Sequence, residues 1–146
     1  MRTFACSLVA LLALSHGFST LAAEPKKPAP PAAGAPTLAK RGWIDDPKLK
    51  AAAPPSQVIT SEKGLAALYK AWSLGDEVPK IDFAKELVIV VTDRSNGNMM
   101  AMTDSKGDLK IHFGGPPSDK PGFGYVLQTA SREGVKTVNG KPLPKE

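Results

Sequence analysis

The chain has 146 residues, of which 42% are hydrophobic, 6% aromatic and 23% charged, with two His, one Cys and a formal net charge of +5. This suffices for one small domain with tails. So few His and Cys leave little for a metal cage or thiol chemistry, and so few aromatics argue against a base-stacking surface.

Residues 1–23 read as a secretory signal peptide. Met1 and Arg2 give a positive start, residues 4–14 are a short apolar run, and Thr20-Leu21-Ala22-Ala23 supplies small residues for cleavage before Glu24. Ser15-His16-Gly17 interrupts the run well short of the roughly 20 residues a bilayer span needs. The expected product is secreted or periplasmic, with no transmembrane segment after cleavage. Cys6 sits too early in the apolar run to be a lipidation site. Cleavage also removes Cys6 and His16, leaving His112 and no thiol.

Residues 24–56 hold eight of the 14 prolines, alternating with Ala and Lys. Such density opposes both helix and sheet, so the segment is expected to be an extended spacer. Within it, Lys40-Arg41-Gly42-Trp43-Ile44-Asp45-Asp46-Pro47 is an island with an aromatic and a branched aliphatic that solvated linkers seldom carry. Six cations against three carboxylates give the spacer +3, whereas residues 57–146 balance 12 cations with 11 carboxylates for +1. A nearly neutral domain lacks the basic face that nucleic-acid binding requires. The basic arm suits loose association with an anionic envelope surface instead.

Residues 57–146 read as an α+β domain: one N-terminal amphipathic helix packed on a small antiparallel β-sheet of about five strands. Thr60 or Ser61 can cap the helix, Leu65, Leu68, Tyr69 and Trp72 form one apolar stripe, and Gly75 and Pro79 end it. The run from Glu86 to Thr92 is apolar on both faces and therefore covered on both sides. A single helix covers only one, so Trp43-Ile44 either folds back over the other or docks a partner. Residues 98–103 and 108–113 are strands about a tight turn, 114–122 is a Gly/Pro-rich loop, and 123–130 is a further strand. Val135-Lys136-Thr137-Val138 with the Asn139-Gly140 hairpin signal finishes the domain.

If residues 104–107 close their hairpin symmetrically, Met102 faces Leu109, Met100 faces Ile111 and Met99 faces His112. This expectation sends Met100 and Met102 to the core and leaves Met99 with His112 on the other face. Thioether and imidazole are suitable ligands for copper(I), but sulfurs divided across a sheet cannot converge, so no metal site and no cofactor are expected. The glycine-rich loop lacks the Gly-Lys-Ser/Thr ending of a phosphate cradle, and no Gly-x-Ser-x-Gly elbow exists to give His112 a nucleophile. Asp104 and Asp108 miss the EF-hand spacing. No catalytic residue is nominated, and the protein is not expected to be an enzyme.

Ile59-Thr60-Ser61-Glu62 leading to Leu68-Tyr69-Lys70-Ala71-Trp72, then Pro79-Lys80-Ile81-Asp82-Phe83 before Leu87-Val88-Ile89-Val90-Val91, resembles the C-terminal domain family of the protease-complex subunit PrcB. The resemblance covers roughly residues 58–140. Where relatives often read Thr-Gly-Gly-Tyr, this chain has Ser95-Asn96-Gly97-Asn98-Met99. The resemblance implies a non-catalytic module that binds or stabilises an exported partner protein, a protease among the candidates, with Trp72, Asp82 and Phe83 as fold-holding positions. Loops on a rigid sheet carry binding more often than the sheet itself. The expected contact surface is therefore the turn from Arg94 to Asn98 with the loop from Gly114 to Gly122, and the residues nominated are Arg94, Asn96 and Asn98 in the turn, Ser118, Asp119 and Lys120 in the loop, and Met99 with His112 on the sheet. The alternative is a small-ligand or anionic-glycan binder that uses the basic spacer, and an enzyme of unrecognised type ranks third.

Overall fold

A computed structural model describes residues 37–95 and 97–144. The signal segment, the first part of the spacer and Asn96 lie outside these described residues.

Eight strands form two four-stranded sheets, where the sequence suggests one sheet of about five. The first sheet comprises β1 (Ala39–Ile44), β2 (Val58–Ile59), β3 (Glu86–Asp93) and β6 (Phe123–Ser131), in the order β1-β6-β3-β2. The second comprises β4 (Asn98–Thr103), β5 (Asp108–Gly114), β7 (Thr137–Val138) and β8 (Lys141–Pro142), in that order. All pairings are antiparallel except β5 with β7, which is parallel.

The two-sided apolarity of β3 has a simple cause. Val88 and Val90 face the helix α1 (Glu62–Trp72) and join Leu65, Leu68, Tyr69 and Trp72 in one core cluster. Leu87, Ile89 and Val91 face the second sheet and pack with Leu109, Ile111, Val135 and Val138 in another. The cover on that side is the second sheet, not a folded-back Trp43-Ile44.

The spacer boundary at residue 56 is also corrected. β1 pairs along β6 from Ala39↔Gln128 to Ile44↔Phe123, and a 3-10 turn over Pro47–Ala52 follows it. Trp72 Nε1 donates to the Leu49 carbonyl at 2.8 Å, and Ile44 and Leu49 pack against the helix-side cluster. The prolines bracket Ala39–Ile44 without entering it, so all its backbone donors are available to a ladder. Strand alternation then parts the apolar island, sending Ile44 to the helix side and Trp43 to the other.

Ser61 is the helix cap, its Oγ accepting from Gly64 N at 3.1 Å. The helix stops at Trp72, with Ser73 in the left-handed region (φ 51°) and Leu74 N donating to the Tyr69 carbonyl at 3.0 Å. That wrap terminates the helix before Gly75 is reached. Trp72 is buried, Asp82 sits in the exposed turn that leads into β3, and Phe83 packs partly buried against the helix-side cluster. The Lys85 ammonium and the Ala84 amide hold the Asp82 carboxyl below its usual range.

The register of β4 on β5 differs from the symmetric expectation by one residue. Met100 faces His112, Met102 faces Lys110 and Met99 faces Phe113. Asp104 N donates to the Asp108 carbonyl at 3.0 Å, Gly107 N to the Asp104 carbonyl at 3.0 Å, and Gly107 has φ 88°. This is a three-residue loop whose left-handed glycine adds a bulge to one strand. Since side chains alternate with period two, one residue of slip exchanges the faces. Met99 and Ala101 therefore pack inward, while Met100 and Met102 are 63% and 65% exposed.

Asp108 ties β5 to the β7–β8 hairpin. Its Oδ1 accepts from Thr137 Oγ1 at 2.7 Å and from Gly140 N at 2.9 Å, and its Oδ2 lies 2.5 Å from Lys110 Nζ. The lysine, the Gly140 amide and the Thr137 hydroxyl pull its pKa down to about 2. A depressed carboxylate stabilises the native state above its unfolded pKa of about 3.9, and loses that contribution as pH falls towards the folded value. The melting temperature of the native protein is therefore expected to fall between pH 4 and pH 2 more steeply than that of Asp108→Asn. Parallel curves would show that Asp108 does not couple folding to protons.

Candidate functional site

A cleft of about 300 Å³ opens where β1 and β6 face the segment joining β3 to β4 and the end of β5. Arg41, Trp43 and Val126 line it from the first sheet, and Ser95, Gly97 and Phe113 from the opposite side. Two glycines let aromatic rings lie directly on the β1–β6 backbone, Tyr125 on the helix face and Trp43 on the cleft face. A Cβ at Gly42 would stand 2.8 Å from ring carbons of Tyr125, and one at Gly124 would stand 3.3 Å from Trp43 Cε3. As β1 and β6 pair Gly42 with Tyr125 and Trp43 with Gly124, each strand supplies one ring and one bare position to the other.

The two loops singled out in the sequence meet here. Ser118 N donates to the Arg94 carbonyl at 2.6 Å, and Ser95 bridges to Pro117. Trp43 Nε1 donates to the Pro121 carbonyl at 2.7 Å, fastening the long loop to β1. The rim is thus one hydrogen-bonded unit with Trp43 at its centre. Inside it, Ser95 is 5% exposed and its Oγ has no hydrogen-bond partner among the described residues. A buried hydroxyl left unpaired costs on the order of 1–3 kcal/mol. A ligand group that reached it would recover that cost.

The expected contact residues divide into two groups. Arg94 and Ser118 join the two loops through the bond given above, and Asp119 and Lys120 are exposed on the long loop, where Lys120 N donates to Ser118 Oγ at 3.3 Å. Asn98 is exposed at the start of β4, opposite Gly114. Asn96 lies outside the described residues. Met99 is turned into the space between the sheets, and His112 stands on the outer face of the hairpin, so the two are not brought together. Ser95 and Gly97 belong to the turn from Arg94 to Asn98 that the sequence nominates, whereas Arg41, Phe113 and Val126 were not anticipated as lining residues. The one signal for this wall was the Arg41-Gly42-Trp43 island.

Lys40 of the basic arm is committed inward. Its Nζ donates to the Leu74 carbonyl at 2.5 Å and stands 5.2 Å from the Tyr69 ring centroid. Lys26 and Lys27 lie outside the described residues. Burial pushes the Tyr125 and Tyr69 phenols up, so both remain protonated at neutral pH. No described helix is long and apolar enough to cross a membrane. Comparison with protein-family models, curated proteins and solved structures finds no match.

Proposed function

We propose that the chain is an exported, non-catalytic accessory module that binds a partner protein, as its resemblance to the PrcB-type family implies, and that the Trp43 cleft is the contact surface. The observation that carries this reading is the cleft rim, where two loops are hydrogen-bonded to each other and to an edge strand around a recess with an unpaired hydroxyl. Arg41 adds a guanidinium, whose fork suits a carboxylate. β1 ends its sheet, so its outer edge offers a ladder to an extended segment. The occupant best matched is an extended stretch of a partner chain bearing an acidic side chain.

A photo-cross-linking residue placed at Arg41 or Trp43 should give a discrete protein adduct in the producing cell, and the same group at exposed Lys63 should not. Arg41→Glu should weaken capture about tenfold or more, the scale of a central interfacial arginine. Equal labelling from Lys63, or none from either cleft position, would rule out the cleft as the contact surface.

A further inference from the structure

We propose that Met100, Met102 and His112 form a binding site for a soft monovalent metal ion, copper(I) or its redox-inert stand-in silver(I), on the outer face of the β4–β5 hairpin. The register places Met100 directly opposite His112 and Met102 opposite Lys110, so both thioethers and the imidazole share one face. On the other face, Met99 and Ala101 pack inward with Ile111. The outward pair has no such packing role, since Met100 and Met102 are 63% and 65% exposed and are the large apolar side chains left in solvent among the described residues. β4 ends its sheet, and terminal strands ordinarily carry charge or Pro outward to discourage edge pairing. Two thioethers at alternate outward positions contribute nothing to the core.

Side chains directly opposite on paired strands have Cβ atoms about 4.5–5.5 Å apart, and the diagonal neighbour lies about 7–8 Å away. Methionine has three rotatable side-chain bonds. The sulfurs of Met100 and Met102 and a ring nitrogen of His112 can therefore converge on one point above the hairpin. Lys110 is the cation nearest to that point in the register, and Asp108 holds its ammonium at 2.5 Å, one step along β5 on the side away from His112. Thioether and imidazole donors select soft ions over Mg²⁺ or Ca²⁺. Among the described residues no three His, Cys, Asp or Glu cluster as a harder ion would need.

The test is titration of the protein from residue 24 onward, which lacks Cys6 and His16, with silver(I), followed through the methionine methyl and histidine ring resonances, and with copper(I) under anaerobic conditions against a colorimetric chelator. One equivalent should bind, shifting the signals of Met100, Met102 and His112 while Met99 stays unmoved. Met100→Leu, Met102→Leu and His112→Gln should each weaken binding at least about tenfold, since even groups that only support ligands act on a 10–100-fold scale. Met99→Leu should leave it unchanged. The leucine replacements conserve volume on an exposed face, so folding is retained. Failure to withdraw copper(I) from the chelator, or binding that persists in the Met100→Leu/Met102→Leu double variant, would overturn the site.

Discussion

Trp72→Ala is expected to lower the unfolding free energy by about 3–5 kcal/mol, the range for truncating a buried large aromatic. Trp72 closes the helix stripe and is 4% exposed. Its ring meets Phe123 edge-on at 5.6 Å and Tyr125 at 5.4 Å, so it joins α1 to two residues of β6 that face the helix. Its Nε1 also reaches the carbonyl of Leu49. The substitution therefore opens a cavity at the junction of three elements and leaves one acceptor unpaired. A loss of about 1 kcal/mol moves the melting temperature of a domain this size by about 4–8 °C, so the midpoint should fall by more than 10 °C. Trp72→Phe keeps most of the ring and loses the hydrogen bond, and should cost about 1–2 kcal/mol. Trp43, the other tryptophan, remains as a fluorescence probe in both variants. A cost below about 1 kcal/mol for Trp72→Ala would mean that the helix is not anchored through this side chain.

Features set by short-range chemistry were legible in the sequence. The stripe from Leu65 to Trp72 needs only helical periodicity, a cap at Thr60 or Ser61 needs only their place before Glu62, and the continuous apolarity of β3 required cover on two faces. The nature of the second cover was not legible, because it depends on which strands pair, and pairing is non-local. Val135 and Val138 show how: they read as the end of one sheet, yet they pack with Leu87 and Ile89 from a second one.

The methionines show how one backbone angle can outweigh a correct pattern. The strands at 98–103 and 108–113 were placed within a residue of their observed bounds. Gly107 in the left-handed region shifted their register by one, and that reversed which sulfurs meet His112. The alternation of Leu109, Ile111 and Phe113 gives the inward face of β5, but not which face of β4 lies against it. Asn98-Met99-Met100-Ala101-Met102 has no clean alternation to settle the matter. Only the hydrogen bonds among Asp104, Gly107 and Asp108 do so.

The same distinction governs where the chain can be cut. Deleting residues 24–36 leaves every contact described above in place, and the Pro/Ala/Lys composition of that segment leads us to expect a melting temperature changed by no more than about 2 °C. Deleting residues 24–56 should abolish cooperative folding. The longer deletion removes β1, so β6 loses its partner on one side from Phe123 to Gln128 and becomes the edge of the sheet, paired with β3 alone. It also removes buried Leu38, partly buried Ile44 and Leu49, and the carbonyl that Trp72 Nε1 uses. Each large apolar side chain contributes about 1.5–3 kcal/mol when fully buried. Those three residues together with the exposed flank of Trp72 amount to roughly 5 kcal/mol or more, comparable with the whole stability of a small domain. Thermal scans of the two deletions, followed by circular dichroism, distinguish the outcomes. If the longer deletion keeps a sharp transition near that of the parent, β1 is dispensable to the fold. The cleft wall formed by Arg41 and Trp43 would then be an appended element, and loss of partner capture in that variant would report on the surface alone. If the transition is lost, capture by the longer deletion carries no information about the basic arm, and only the cut at residue 36 separates the arm's role from the fold's.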